Sequence, residues 1–276
     1  MLALILPYVV PFGATIAFAG LLRVVGGSER GGRTAGVSIV GGFLLGWYWT
    51  IGPTWWPVDA LTRVPHIALG GAMLGLILDA FQPSRKWVAA CVIIFGIACG
   101  WMSVQGELVF IPPREIESYA VFALIFVVWV LVLTRLGNPA SNSSGTLVNL
   151  IVSVVGIACI AGLYQNTYLM HAGTIFLTSL LGYLILVWTI GLSCGYAVVF
   201  GAGGLVLALA VALVQSHPET WLAVAMLLLV LFADRTARRV LRGPDWLLSF
   251  AYPTILFLVS CLPVMFAVAL AYLALK

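Results

Sequence analysis

"MLLLVLFADRTARRVLRGPDWLLSFAYPTILFLVS", Met226–Ser260, sets a polar break holding Arg235, Arg238, Arg239 and Arg242 between two apolar runs. The second run continues to residue 275 without a single charge. As a helix, 246–275 would measure ~45 Å, longer than the ~30 Å hydrocarbon core of a bilayer. It reads as one tilted span with an interfacial start, or as two short spans broken near Pro263. A soluble domain has no use for such a segment, and the rest of the chain repeats the pattern.

Of the 276 residues, 63% are hydrophobic and only 8% are charged. The mean hydropathy is +1.14. Ordinary soluble domains carry roughly 25% charged residues to cover their surface. This chain cannot do that, and an integral membrane protein follows. Apolar runs separated by polar breaks predict an all-α, polytopic transmembrane helix bundle of about ten spans (nine to eleven), forming a single domain over 1–276. The expected spans are 2–22, 35–52, 65–82, 88–105, 117–134, 147–164, 172–190, 196–215, 221–234 and 246–275. The run 172–215 is divided at the glycine-rich "GLSCG", 191–195. "AFAG" at 17–20 resembles a signal-peptidase site, but no Lys or Arg precedes the apolar run, so 2–22 reads as a retained span.

The charges orient the spans. Ten positive residues fall on odd-numbered loops: Arg23, Arg30, Arg33, Arg85, Lys86, Arg135 and the four arginines of 235–242. Even-numbered loops hold only Arg63 and Arg114. Positive charge marks the cytoplasmic side, which puts the N-terminus outside, in a bacterial inner membrane. Trp55, Trp56, Trp87, Trp221 and Trp246 fall near span ends, as interfacial anchors do. Glycine pairs four apart, at 42/46, 71/75, 96/100 and 191/195, permit close helix contact.

Chemistry has few places to reside. The net charge of +4 is spread over loops, and no nucleic-acid partner is expected. The five cysteines lie in apolar or small-residue stretches with no paired spacing, as buried thiols do. His66, His171 and His217 stand far apart near outer span ends, and no metal ligation is predicted. Two acids remain at the inner ends of spans. Asp79 closes "GGAMLGLILDAF", where the plain alternative to a functional role is pairing with Arg85 or Lys86. Asp234 follows "MLLLVLFA", with Arg238 four residues on and on the same helical face. The arginine block suits anionic lipid headgroups or a phosphate, which guanidinium grips with two prongs. The inner loop "RLGNPASNSSGTLVN" offers Asn138, Asn142 and Asn149 with Ser141, Ser143 and Ser144, as a surface turn or a polar headgroup contact.

Taken in order, "ERGGRTAGVSIVGGFLLG", "GLILDAF", "NPASNSSG" and "FADRTARRVLRG" resemble the inner-face motifs of the polyprenyl-phosphate sugar-1-phosphate transferases. That family has ten or so spans and chemistry on its cytoplasmic loops. The resemblance implies Asp79 and Asp234 as catalytic candidates. It implies phosphate contacts from Arg85, Lys86, Asn138, Asn142, Arg238, Arg239 and Arg242, and a polyprenyl phosphate among the membrane lipids as partner. Mg²⁺ is implied only under this resemblance, because phosphoryl transfer needs charge neutralisation. The chain departs from the family where Ala80 follows Asp79, where the Asn stretch lacks an acid, and where "PDWLLSF" replaces a His-rich segment. The resemblance therefore implies a diverged protein, active or inactive, that binds a lipid phosphate. Two other functions fit the residues. A small-solute transporter or channel requires a midplane cavity and helix breaks at "GLSCG" or "GAGG". A structural or assembly subunit would use the glycine faces, with no partner named by the sequence.

Overall fold

The computed structural model describes residues 2–53, 56–57, 59–103, 116–137, 143–234 and 245–275; side chains are described at these positions other than 2–5, 28, 116–118 and 245–251. Among them there is no strand. Ten helices of eight residues or more follow one another: α1 (Leu2–Gly26), α2 (Val37–Thr50), α3 (Ala60–Phe81), α4 (Arg85–Ser103), α5 (Ile116–Leu136), α6 (Ser143–Leu163), α7 (Thr167–Ile190), α8 (Gly203–Ser216), α9 (Trp221–Leu228) and α10 (Asp245–Ala274). A π-helical turn, Val198–Ala202, leads into α8, and 3₁₀ turns flank α9 at Pro218–Thr220 and Leu229–Phe232.

Eight helices are long and apolar enough to cross a bilayer, counting α8 from Val198. The apolar segments Val37–Thr50 and Pro218–Phe232 are shorter. At 1.5 Å per residue they reach roughly 20 Å, against a core of ~30 Å. The chain is thus a multi-pass helical membrane protein. The last apolar run is one continuous helix that keeps Pro253 and Pro263 inside it. α3 starts at Ala60, ahead of the expected 65, because Thr62 Oγ1 accepts the Asp59 N–H at 2.9 Å and satisfies a donor that the helix leaves free. It ends where Gln82 turns left-handed (φ 47°) just before Pro83.

α8 is the centre of the bundle. Every residue from Val198 to Ala210 is buried, and α3, α4, α5, α6, α7 and α9 all touch this segment or α8 itself. On one flank α1, α2 and α7 pack on each other; α6 stands between α7 and α10, and α9 lies against α10. Aromatic edges close the interior. Phe95 of α4 meets Trp129 of α5 at 5.8 Å and Phe200 at 5.6 Å, both edge to face. Such pairs add to the area they bury.

The tightest joint is between α3 and the start of the α8 segment. A Cβ on Gly75 would lie within 2.6 Å of the Ala197 nitrogen and the Tyr196 oxygen, and one on Gly71 within 2.8 Å of the Phe200 carbonyl carbon. Two backbones touch here because the side chains between them are hydrogen atoms, the small-residue packing that membranes favour. Gly75→Ala is expected to cost about 1–3 kcal/mol, the usual penalty of overpacking. Gly70→Ala, one position from Gly71, meets open space and is expected to hold or raise stability. Thermal melts of both variants in mild detergent, read by size-exclusion monodispersity, check this; equal melting of the two would remove the close joint.

Candidate functional site

The glycine stripe continues one turn further to Asp79, which is 6% exposed. Its Oδ1 accepts the Tyr196 N–H at 2.7 Å and its Oδ2 the Ala197 N–H at 2.9 Å. The reason lies in the preceding residues. α7 ends at Gly191 in the left-handed region (φ 67°), and 191–195 run without helical structure. The first amides after the break have no partner within their own helix. A carboxylate from α3 supplies one and also matches the positive end of the helix dipole. Gly195 is required at the centre, since a Cβ there would sit 2.5 Å from Asp79 Oδ2 and 2.7 Å from the Arg33 carbonyl oxygen. Arg33 is the cation whose charge acts on Asp79.

Three more elements fasten the break. Arg23 Nη1 donates to the Ile190 carbonyl at 2.6 Å, a cation on the last turn of α7. The Tyr183 hydroxyl donates to the Ser193 carbonyl at 3.0 Å. Ser143 Oγ, at the start of α6, accepts the Cys194 N–H at 3.0 Å. Burial pushes the Cys194 thiol up to about 12. At neutral pH it stays protonated and fills space.

A second cluster lies at the same end of the bundle, on the next turns of α6. Arg135 Nη2, in the last turn of α5, sits 3.1 Å from Asp234 Oδ2; both side chains are about nine-tenths buried. The Tyr252 hydroxyl of α10 donates to Asp234 Oδ1. Gly145 leaves room for the Tyr252 ring, whose atoms would stand 3.0 Å from a Cβ there. Below, Ser260 Oγ donates to Asn149 Oδ1 at 3.1 Å. Arg135, Thr146, Asn149 and Asp234 line a cavity of about 10 Å³, the space of one water.

Beside these clusters a groove of about 710 Å³ opens sideways. α6 forms its floor with Val148 and Ile151; α7 lines it with Leu181, Leu184 and Trp188; α10 lines it with Pro253, Thr254 and Phe257. The floor is buried, while Leu181, Trp188 and Phe257 stand exposed on the rim. All three helices contribute the turns nearest Ser143, Ile190 and Tyr252, so the groove belongs to the end that carries Asp79 and Asp234.

The two acids thus occupy one end but separate clusters, joined through the first turns of α6. Asp79 bonds backbone amides, in place of the pairing with Arg85 or Lys86 expected from sequence. Those two cations are exposed at the start of α4. Asn138, Asn142, Arg238, Arg239 and Arg242 lie outside the described residues. Sequence reasoning did not single out Arg33, Arg135, Tyr183 or Tyr252. Arg135 carried a usable signal, as a basic residue ending an apolar run that must find an acid if buried. The polar groups of the opposite end form a different set: Tyr8 with His171, Arg63 with the Met102 carbonyl, and His217 with Glu219.

Asp79→Asn keeps one acceptor and turns an amide N–H₂ toward the other backbone N–H. A loss of about 1–3 kcal/mol is expected, the cost of one unsatisfied buried donor. Asp79→Ala frees both donors and should lose more. Arg135→Met or Asp234→Leu alone strands a buried charge, at roughly 3–5 kcal/mol, and the double substitution should lose less than either. Thermal melts of the four variants and the double variant read both orders; strict additivity at 135 and 234 would dissolve the pair.

Compared with known protein families and with curated proteins, the chain matches none.

Proposed function

We propose that the chain is a ten-span inner-membrane protein, N-terminus outside, that binds a lipid phosphate at its cytoplasmic end. The observation that carries this reading is the lateral apolar groove of about 710 Å³ at the end where positive charge collects. A bilayer offers such a groove hydrocarbon chains. The loops at that end hold ten of the twelve loop cations, and each Arg or Lys near an anionic surface contributes about 1 kcal/mol. The lipid chain lies between α7 and α10 along α6. Its phosphate meets the headgroup level, where Arg85, Lys86, Arg238, Arg239 and Arg242 supply charge and Asn138 and Asn142 supply neutral donors. Trp188 on the rim suits the interface between chain and headgroup. A polyprenyl phosphate is the lipid implied by the transferase resemblance.

Mg²⁺ chemistry has little support among the described residues. Magnesium takes oxygen ligands in near-octahedral array. Both Asp79 oxygens already hold backbone amides, and Asp234 is paired with Arg135 and Tyr252. No catalytic step is assigned. A solute pathway has less support than lipid binding. The non-helical stretch 191–195 joins two helices instead of interrupting one, and α8 is buried on all sides at its middle, from Leu205 to Ala210.

The test is the lipid that stays with the protein in mild detergent. Extraction and mass analysis should recover anionic phospholipid or prenyl phosphate in excess over its share of the membrane. Leu181→Trp, which fills the groove from its exposed rim, should cut retained lipid severalfold at unchanged melting temperature. Neutralising Arg238, Arg239 and Arg242 to Gln should lower the anionic share. Retained lipid that mirrors the bulk membrane and ignores both changes would sink the proposal.

A further inference from the structure

The lateral groove and the buried Arg135–Asp234 pair share α10. Pro253, Thr254 and Phe257 line the groove. The residue before them, Tyr252, donates its hydroxyl to Asp234 Oδ1. Through its other oxygen Asp234 holds Arg135 of α5 at 3.1 Å. Tyr252 is 5% exposed and Asp234 7%, so little water competes for these bonds.

The apolar contacts of this turn run the same way. Tyr252 and Leu256 pack in one buried cluster with Val148 and Val152 of α6 and with Val230 and Ala233. Val148 is also part of the groove floor. Neighbouring helix residues stand about 100° apart, so Tyr252 fastens one face of α10 while Pro253 walls the groove with the next. Pro253 supplies no N–H to the preceding turn. The helix is less stiff there, and its seat on α6 depends more on side chains. Apolar contacts hold it without direction, whereas the Tyr252 hydroxyl bond is directional.

We infer that Tyr252, held by Asp234 and Arg135, is a positioning residue: a latch that keeps the α10 wall of the groove in place for a lipid chain. The inference rests on the reading of this groove as a lipid site. Lipid and latch then stabilise one another. The bond sets the width that the chain fills, and a bound chain holds α10 where Tyr252 meets Asp234. Breaking the buried pair therefore weakens binding in a groove that none of the three residues lines.

The test measures coupling as well as stability. The protein is purified in mild detergent, stripped of lipid, and melted with increasing dioleoyl phosphatidylglycerol. The wild type should melt at a higher temperature as lipid is added, and Leu181→Trp should abolish the rise. Tyr252→Phe keeps the ring and removes the hydroxyl; it should need about fivefold more lipid, or beyond, to reach half of its rise. The double variant Arg135→Met with Asp234→Leu releases Tyr252 from the other side and should show the same shift. Adding Tyr252→Phe to it should move the midpoint no further. Gly46→Ala crowds Pro11 and Ile175, away from the groove; it should lower the melting temperature and leave the midpoint unchanged. A merely structural tyrosine would lower every melt equally and move no midpoint. A wild type that the lipid does not stabilise would overturn the groove reading and the latch with it. A wild-type response that Leu181→Trp removes, but that keeps its midpoint in Tyr252→Phe and in the double variant, would overturn the latch alone. So would a shift as large in Gly46→Ala.

Discussion

A bilayer offers no water to a backbone amide, so any place where a helix stops inside the protein must be answered by the protein itself. Here that place is the stretch 191–195, and the answer is Asp79. Its two oxygens take the two amides that begin the next helix. Everything central hangs from that joint. α8 is the buried axis of the bundle, and its first turns are positioned by a carboxylate from α3, a backbone-to-backbone contact at Gly75, and the Ser143 hydroxyl of α6. The neighbouring connection is tied to the same point, since the Arg33 carbonyl oxygen faces Gly195.

The second constraint is charge burial. Arg135 and Asp234 come from helix ends 99 residues apart in the chain. Isolated, each would carry a large desolvation cost; together with Tyr252 they form a closed set. Because α6 passes between this set and the Asp79 joint, its first turns couple the two. Small residues make that possible: Gly145 admits Tyr252, and Ser143 reaches the break. The groove beside them exists for a related reason. α7 and α10 both pack on α6, and Pro253 lies in the wall of α10 that faces the gap.

How much of this could be read from residues alone follows from the kind of signal each feature has. Helical segments are local, and their approximate bounds came from hydropathy, eight of them long and apolar enough to cross a bilayer; the polar break 191–195 was visible from its two glycines. The stripe Gly71, Gly75, Asp79 was visible too, at a spacing of four that places it on one helix face. What it touches was not. A carboxylate bonded to backbone amides leaves no mark on the partner's side chains, so Asp79 looked like the companion of Arg85 or Lys86. Tyr252 was equally hidden, as one aromatic among many in an apolar run. The pairing of Arg135 with Asp234 needed the adjacency of α5 and the 3₁₀ turn Leu229–Phe232, which no local pattern encodes. The lateral groove is a property of three helices at once, and none of its residues is unusual by itself.

The two ends of the bundle therefore pose different chemical demands. At the arginine-rich end the buried acids are answered within the protein, by amides, by Arg135 and by Tyr252, and so are committed to structure. Charge left over for a ligand must come from the loops, where the cations outnumber the acids. On the proposed reading, a phosphate carried by a lipid would meet these loops from the side, along the groove, without crossing the packed axis. At the other end the polar groups also pair within the protein, Tyr8 with His171, Arg63 with the Met102 carbonyl and His217 with Glu219.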